Sequence, residues 1–146
     1  MALVLCSQGL LLGLKMKKND KDIKGSLTRS ISYVNKNYEP TAILDFATLT
    51  GAVLIALGNR ASGVMGNDVS LMKEVKQASK ITSEKVWELP LWDEYSREIK
   101  GKYADIKNIG EGRLAGTFAA GAFLKKFIEQ IHFILMASFL AISEQI

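Results

Sequence analysis

The stretch from Pro40 to Gly58 constrains the fold of this chain more than any other part of its sequence. An apolar run with a single acid, Ala42 to Ala47, leads into the turn sequence Thr-Leu-Thr-Gly, and a second apolar run follows from Ala52 to Leu57. The pattern predicts a buried strand, a tight turn at its carboxyl end and a short buried helix that leads away. Because ligands of open α/β sheets bind beyond the carboxyl ends of strands, this turn is a candidate functional site.

Further helices and strands are expected on both sides of this stretch. Ser26 can cap a helix whose apolar positions recur at helical spacing and which ends near Asn37. A helix from Val69 to about Ile81 has Asn67 or Asp68 as its candidate N-cap. The other expected elements are a strand from Ala61 to Met65, a helix from Asp93 to Ile99 and a helix that begins at Thr117.

Length, charge and hydropathy exclude several classes of protein. A chain of 146 residues suits one domain with its own core. The net charge is +4, and the densest basic cluster, Lys15 to Lys24, contains two aspartates and no aromatic residue, so we expect no nucleic-acid partner. The apolar runs Ala2 to Leu14 and Ile131 to Ile142 are shorter than the ~20 residues that span a bilayer. The basic residues follow the first run, unlike those of a secretory signal, so we expect no membrane partner.

A few single residues invite a chemical interpretation. Cys6 is the only cysteine, which excludes an intramolecular disulfide, fits a reducing compartment and predicts a packing role. His132 is the only histidine, and its apolar surroundings in the sequence predict a hydrogen-bonded core histidine. Trp87 and Trp92 are interpreted as large hydrophobic anchors.

Four separated segments, taken in order, resemble the C-terminal catalytic domain of the leucine aminopeptidase (cytosol aminopeptidase) family. They are Pro40 to Gly58 with its D-x-A-T-L-T-G-A core, Arg60 to Asp68, Val86 to Tyr95 (VWELPLWDEY), and Ala104 to Phe127, which opens with ADIKNIG. The resemblance implies an α/β fold in which a mixed sheet is flanked by helices. It also divides the chain into an unmatched N-terminal segment and linker (1–25), a partial catalytic domain (26–130) and a divergent apolar tail (131–146).

The resemblance implies a dinuclear metal enzyme. Members of the family use two divalent ions, manganese or zinc, to remove N-terminal residues such as leucine from peptides. They are typically cytoplasmic hexamers, so peptide substrates, a homo-oligomer and a cytoplasmic location are expected here. The metals would lower the pKa of a bridging water, polarise the scissile carbonyl group and hold the free amine of the substrate.

The metal ligands of the family come from the motifs G-K-G-x-T-F-D, D-x-G-G-A and N-T-D-A-E-G-R-L. The first two have no counterpart here, and alignment without gaps from Tyr33 places KNDKDIK, residues 18–24, over the start of the third. Asp20 and Asp22 then match the two metal-binding carboxylates, and Lys24 matches the catalytic arginine, although lysine lacks the planar bidentate guanidinium. The alternative is a solvated, lysine-rich linker in which aspartates two residues apart are common.

The turn gives the clearest match at the level of single residues. Thr48, Leu49 and Gly51 match the family turn that lines the substrate side-chain pocket and offers backbone contacts to the bound peptide. Apart from the family, a strand-to-helix turn of this kind is expected to need glycine at Gly51.

Two functions stay open on the sequence alone. By resemblance, the chain is a metal-dependent aminopeptidase that is weakly active or inactive on its own, because most metal motifs are absent. The alternative is a non-catalytic fragment or pseudo-enzyme that keeps the fold for assembly with full-length subunits. After its last helix the family continues with W-x-H-x-D-x-A-G; His132 can match the histidine, but Ile134 stands at the position of the aspartate.

Overall fold

The computed structural model describes residues 2–6, 23–101, 106–107, 114–128 and 131–137. Helices and strands alternate along most of this length, as expected for an α/β fold. In chain order the elements are β1 (Ala2–Cys6), α1 (Ile23–Tyr38), β2 (Ala42–Ala47), α2 (Ala52–Leu57), β3 (Ser62–Gly66), α3 (Val69–Thr82), β4 (Val86–Glu88), α4 (Asp93–Glu98), α5 (Gly116–Lys125) and β5 (His132–Ala137).

Five strands form one mixed sheet in the order β1-β2-β5-β3-β4. The strands β1, β2 and β5 are parallel to one another. The strand β3 runs antiparallel to β5 and parallel to β4. This arrangement confirms the expected fold class, an α/β fold with a mixed sheet flanked by helices.

Helices cover both faces of the sheet. On one face, α1 and α5 bury apolar side chains against β2 and β5 in the main core, where Leu27, Ile31, Ile43, Leu124 and Phe133 are at most 1% exposed. On the other face, α3 packs over β3 and β5 and forms a smaller cluster of buried residues, Val64, Met72 and Ile134. Since β5 lies in the middle and is covered on both faces, its sequence is almost continuously apolar.

The predicted strand from Ala42 to Ala47 and the predicted helix from Ala52 to Leu57 are confirmed as β2 and α2. The helix α1 begins at Ile23, so Ser26 lies inside the helix and is not its cap. At the start of α3, Asp68 is the N-cap, because its Oδ1 accepts a hydrogen bond of 2.6 Å from the backbone N–H of Leu71. The helix α2 is less buried than expected, since only Val53 is buried.

The two tryptophans are not anchors of the core, as we expected them to be. Trp87 is 63% exposed, because it lies in β4, a short strand at the end of the described sheet. Trp92 is 60% exposed and stacks on Tyr95, which in turn stacks on Phe118 of α5. Both tryptophans therefore lie at the surface, and Trp92 extends an aromatic stack rather than fills the interior.

The predicted core position of His132 is also wrong, because its side chain is 56% exposed. It begins β5 and lies at the end of the sheet where α3 starts, with its Nδ1 2.6 Å from Oδ2 of Asp68. The strand β5 lies within the segment 131–146 and pairs with β2 and β3. The proposed division of the chain into three segments stays a prediction.

Candidate functional site

The turn after β2 lies at the edge of the sheet where two parallel strands end. The last residues of β2 and β5, Ala47 and Ala137, are partners in the register, so both strands finish at the same level. Because α5 runs back towards the start of β5, its N-terminal end lies at this same edge. The sheet therefore brings the turn 48–51 and the beginning of α5 together. They lie beyond the carboxyl ends of the strands, where ligands of open α/β sheets bind.

A hydroxyl pair joins the turn to α5. Thr50 Oγ1 and Thr117 Oγ1 lie 3.0 Å apart, and either atom can be the donor. Thr117 is only 4% exposed. The two helices that begin here also lie close together, since a Cβ added at Gly116 would be 3.3 Å from the Cβ of Ala52. The turn is thus held from its side by the first residues of α5.

The three turn residues that the sequence predicted as substrate-binding have different environments. Thr48 is half-buried, whereas the Leu49 side chain is 7% exposed and belongs to the main core. Only the main chain of Leu49 is therefore available to a ligand. Gly51 is exposed and occupies the position just before α2.

The expected backbone requirement for glycine at Gly51 is wrong. Its φ of −66° and ψ of −13° are ordinary right-handed helical values, which any residue adopts. In the described part of the chain, no atom lies within 4 Å of the place where a Cβ would stand. The local geometry therefore does not need a glycine, and the missing side chain leaves an open approach to the main chain at the start of α2.

Asp45 is a buried acid three residues before the turn. It is 0% exposed, and in the register it pairs with Leu5 of β1 and Leu135 of β5. Neither carboxylate oxygen has a hydrogen-bond partner in the described part of the chain. Burial without compensation raises the pKa of Asp45 to about 8, so its side chain is mainly protonated at neutral pH.

Most of the metal-binding prediction falls on residues that the structure does not place. Asp20 and Asp22 lie outside the described residues, and Lys24 lies in the first turn of α1. Within the described ranges, no group of three or more His, Cys, Asp or Glu side chains could hold a metal ion. A dinuclear centre needs several such ligands close together, so the described residues alone do not fit one.

Sequence reasoning missed the residues that support the turn. The sequence indicates Thr117 only as the start of a helix. It gives no role to Thr50, although Leu49 and Gly51 on either side are predicted to bind substrate. The available signal was a hydroxyl residue in the first turn of a helix that is otherwise rich in alanine and glycine. The two threonines are 67 positions apart in the sequence, so no local pattern reveals their contact.

Comparison with known proteins gives a consistent result. The family model described as "Cytosol aminopeptidase family, catalytic domain" matches residues 11–140. A probable cytosol aminopeptidase of Cenarchaeum symbiosum (strain A) is 49% identical over 102 residues, which are 70% of this chain and 21% of that protein. Another, from Chlorobaculum tepidum, is 44% identical over 119 residues, which are 80% of this chain and 23% of that protein.

A third relative has the same character. The probable cytosol aminopeptidase of Geotalea uraniireducens is 50% identical over 96 residues, which are 66% of this chain and 19% of that protein. The chain thus spans about a fifth of the length of the relatives it matches. Among the helices described, none is both long enough and apolar enough to cross a membrane.

Proposed function

Since the chain belongs to the cytosol aminopeptidase family, we propose that it contributes one wall of an aminopeptidase active site, which hydrolyses N-terminal residues of the leucine type from peptides. The observation that supports this most directly is the turn 48–51, which lies at the ligand-binding edge of the sheet with an open approach at Gly51. The segment that forms this turn is also part of the sequence that resembles the family.

In this proposal the turn binds and orients the peptide. Because Gly51 has no side chain, the extended backbone of a substrate can approach the start of α2 closely. The main chain of the turn then supplies hydrogen bonds to the substrate backbone, and the N-terminal side chain of the peptide lies beside Thr48. Such contacts fix the scissile bond in one orientation, which is the main contribution of a binding wall to hydrolysis.

The chemistry of bond cleavage would come from two divalent ions, manganese or zinc, when they are bound. Such ions lower the pKa of a water molecule and polarise the scissile carbonyl group. Asp20 and Asp22 are the proposed ligands on this chain, and Lys24 is the proposed cation that assists the reaction. These assignments rest on the sequence resemblance.

Release of leucine from a chromogenic amide tests the proposal. The purified 146-residue chain is incubated with leucyl p-nitroanilide in the presence of Mn²⁺ or Zn²⁺, and circular dichroism verifies that it is folded. Because most metal motifs of the family have no counterpart in this chain, we expect only weak release of p-nitroaniline above the metal blank. A Gly51→Leu variant should lose this activity because its side chain fills the approach to the turn. Ile55→Leu is the matched control, since Ile55 lies in α2 and is 90% exposed.

A folded chain with no turnover above the metal blank would reject this function for the chain alone. The alternative is then a non-catalytic chain that assembles with full-length subunits of the same family. Co-purification with an intact relative would support that alternative, and a stable monomer that does not bind the relative would contradict it. For either function, we propose a cytoplasmic location and a homo-oligomer of the kind that the family forms.

A further inference from the structure

We propose that Thr117 is a positioning residue of the peptide-binding turn, which it holds in place through the hydroxyl group of Thr50. This inference deepens the proposed function and rests on it. The observation that carries it is the distance of 3.0 Å between the two hydroxyl oxygens, which joins two segments 67 residues apart. No local sequence pattern requires this contact, so the fold itself brings the two side chains together.

The burial of Thr117 makes its hydroxyl contact energetically important. Thr117 is 4% exposed, and its neighbours Ala119 and Ala120 are at most 1% exposed. A buried hydroxyl group without a partner costs free energy, and threonine is also a poorer helix former than alanine. The contact with Thr50 offsets both costs.

The position of Thr117 in its helix directs the hydroxyl towards the turn. A threonine inside a helix usually donates to the carbonyl group four residues earlier. Thr117 is the second residue of α5, so the residue four positions earlier lies before the helix. Ala115, the residue just before α5, has a left-handed conformation with φ of 51°, which an alanine adopts only when its surroundings enforce it. The start of α5 is therefore fixed in a particular geometry next to the turn.

The contact completes the support of the turn on three sides. The Leu49 side chain is packed in the main core, and α2 begins at Ala52. Thr50 lies between these fixed points, and its hydroxyl group is bound by Thr117. The main chain of Gly51, next to Thr50, is thereby held in one orientation. A peptide that hydrogen-bonds to this turn meets a prearranged surface, which lowers the entropic cost of binding.

Amide hydrogen exchange of the turn tests this role without any need for activity. In Thr117→Val, which removes the hydroxyl group and keeps the shape, we expect the amides of residues 48–51 to exchange about two- to tenfold faster, the factor that one lost hydrogen bond implies. The amide of Ile43 in β2 reports global opening, and it should accelerate less than the turn. Thr117→Ser should restore the exchange of the turn, because serine keeps the hydroxyl group.

Two comparisons decide whether the pair acts as a unit. The double variant Thr50→Val/Thr117→Val should exchange no faster in the turn than either single variant. Thr82→Val is the matched control, since the Thr82 hydroxyl group donates to the Ala78 carbonyl within α3 and should leave the turn unchanged. Equal acceleration of the turn and of Ile43, or strictly additive effects in the double variant, would overturn the inference and leave a structural role alone.

Kinetics separate this inference from the proposed function. If the chain hydrolyses leucyl p-nitroanilide, Thr117→Val should raise KM severalfold and leave kcat within about twofold, because the turn binds the peptide and does not react. A fall in kcat with unchanged KM would contradict the positioning role. If the wild-type chain shows no turnover, the proposed function fails, whereas faster exchange of the turn in Thr117→Val still establishes the contact as a local support.

Discussion

The two ends of the strand pair β2–β5 are built in different ways. At the amino end of β5, the Asn67 side chain accepts a hydrogen bond of 2.7 Å from the Phe133 N–H and donates one of 2.8 Å to the Ile131 carbonyl. The Asn67 N–H also donates to the Phe133 carbonyl at 3.1 Å. Next to it, the Asp68 carboxylate caps α3 and contacts His132. This end is tied together by polar contacts between segments that are far apart in sequence.

Among the described residues, the carboxyl end of the same strands has a more open construction. Here Thr50 and Thr117 form a side-chain contact of 3.0 Å between the turn and α5, and no described atom lies within 4 Å of a Cβ built on the exposed Gly51. The difference indicates a division of roles: the amino end of β5 fixes the helices to the sheet, and the carboxyl end leaves main chain accessible. Ligands of open α/β sheets bind beyond the carboxyl ends of the strands.

Asp45 lies between the two ends of the strand pair, and within the described ranges it has neither the polar partners of one end nor the exposure of the other. Its replacement should give the largest effect on the free energy of unfolding. Its pKa is raised to about 8 in the folded chain, above the ordinary value of 3.8, so the folded chain holds a proton that the unfolded chain releases. The contribution of Asp45 to wild-type stability should therefore fall as the pH rises from 5 to 8, by roughly 4 kcal/mol. Asp45→Asn does not titrate, so its free energy of unfolding should gain on that of the wild type across this window.

Urea unfolding at pH 5, 6, 7 and 8 measures this difference. Other titrating groups cancel when the variant is subtracted from the wild type at each pH. Asp93→Asn is the control: the Asp93 side chain is 87% exposed beside Lys125, which lowers the pKa of Asp93, so no divergence is expected between pH 5 and 8. Parallel curves for Asp45→Asn and the wild type would show that Asp45 is ionised or paired in the folded chain.

The polar contacts at the amino end of β5 should give the next largest effect. Asn67→Ala removes both side-chain hydrogen bonds to the main chain around Phe133, which is itself 1% exposed. An unpaired N–H group is left in a buried place, so we expect a loss of about 2–3 kcal/mol in the free energy of unfolding. Asn37→Ala is the control, because Asn37 donates to Tyr33 within an exposed turn of α1 and its loss should cost less than about 0.5 kcal/mol.

The difference between local and long-range contacts explains how much of the molecule could be predicted from its sequence. The bounds of β2 and α2 follow from an apolar run, a turn and a closing glycine, which are local signals. His132 was misjudged because its partner Asp68 lies across the sheet edge, and neighbouring residues in the sequence do not reveal that pairing. The contact of Thr50 with Thr117 was missed for the same reason. Local patterns therefore predicted the position of the turn, and only the three-dimensional fold showed what supports it.

Two glycines on either side of α2 sharpen the comparison on a smaller scale. Gly58 closes the helix with φ of 60°, a value that L-residues rarely adopt, although no atom lies within 4 Å of its would-be Cβ. Gly58→Ala should therefore lower the free energy of unfolding by about 1–2 kcal/mol through backbone strain. Thermal or urea unfolding measures this loss, and an unchanged midpoint would mean that the loop relaxes at little cost.

Gly51→Ala should have the smallest effect on stability. Its helical φ of −66° suits alanine and no described atom would contact the added methyl group, so stability should stay equal or rise by up to about 1 kcal/mol. If the turn binds peptides, however, the added methyl group occupies the approach to its main chain, and KM for leucyl p-nitroanilide should rise at unchanged stability. Gly58→Ala, with the opposite profile of lost stability and retained KM, is the matched control. A Gly51→Ala chain with normal KM would remove the functional reason for glycine at this position, since the backbone provides none.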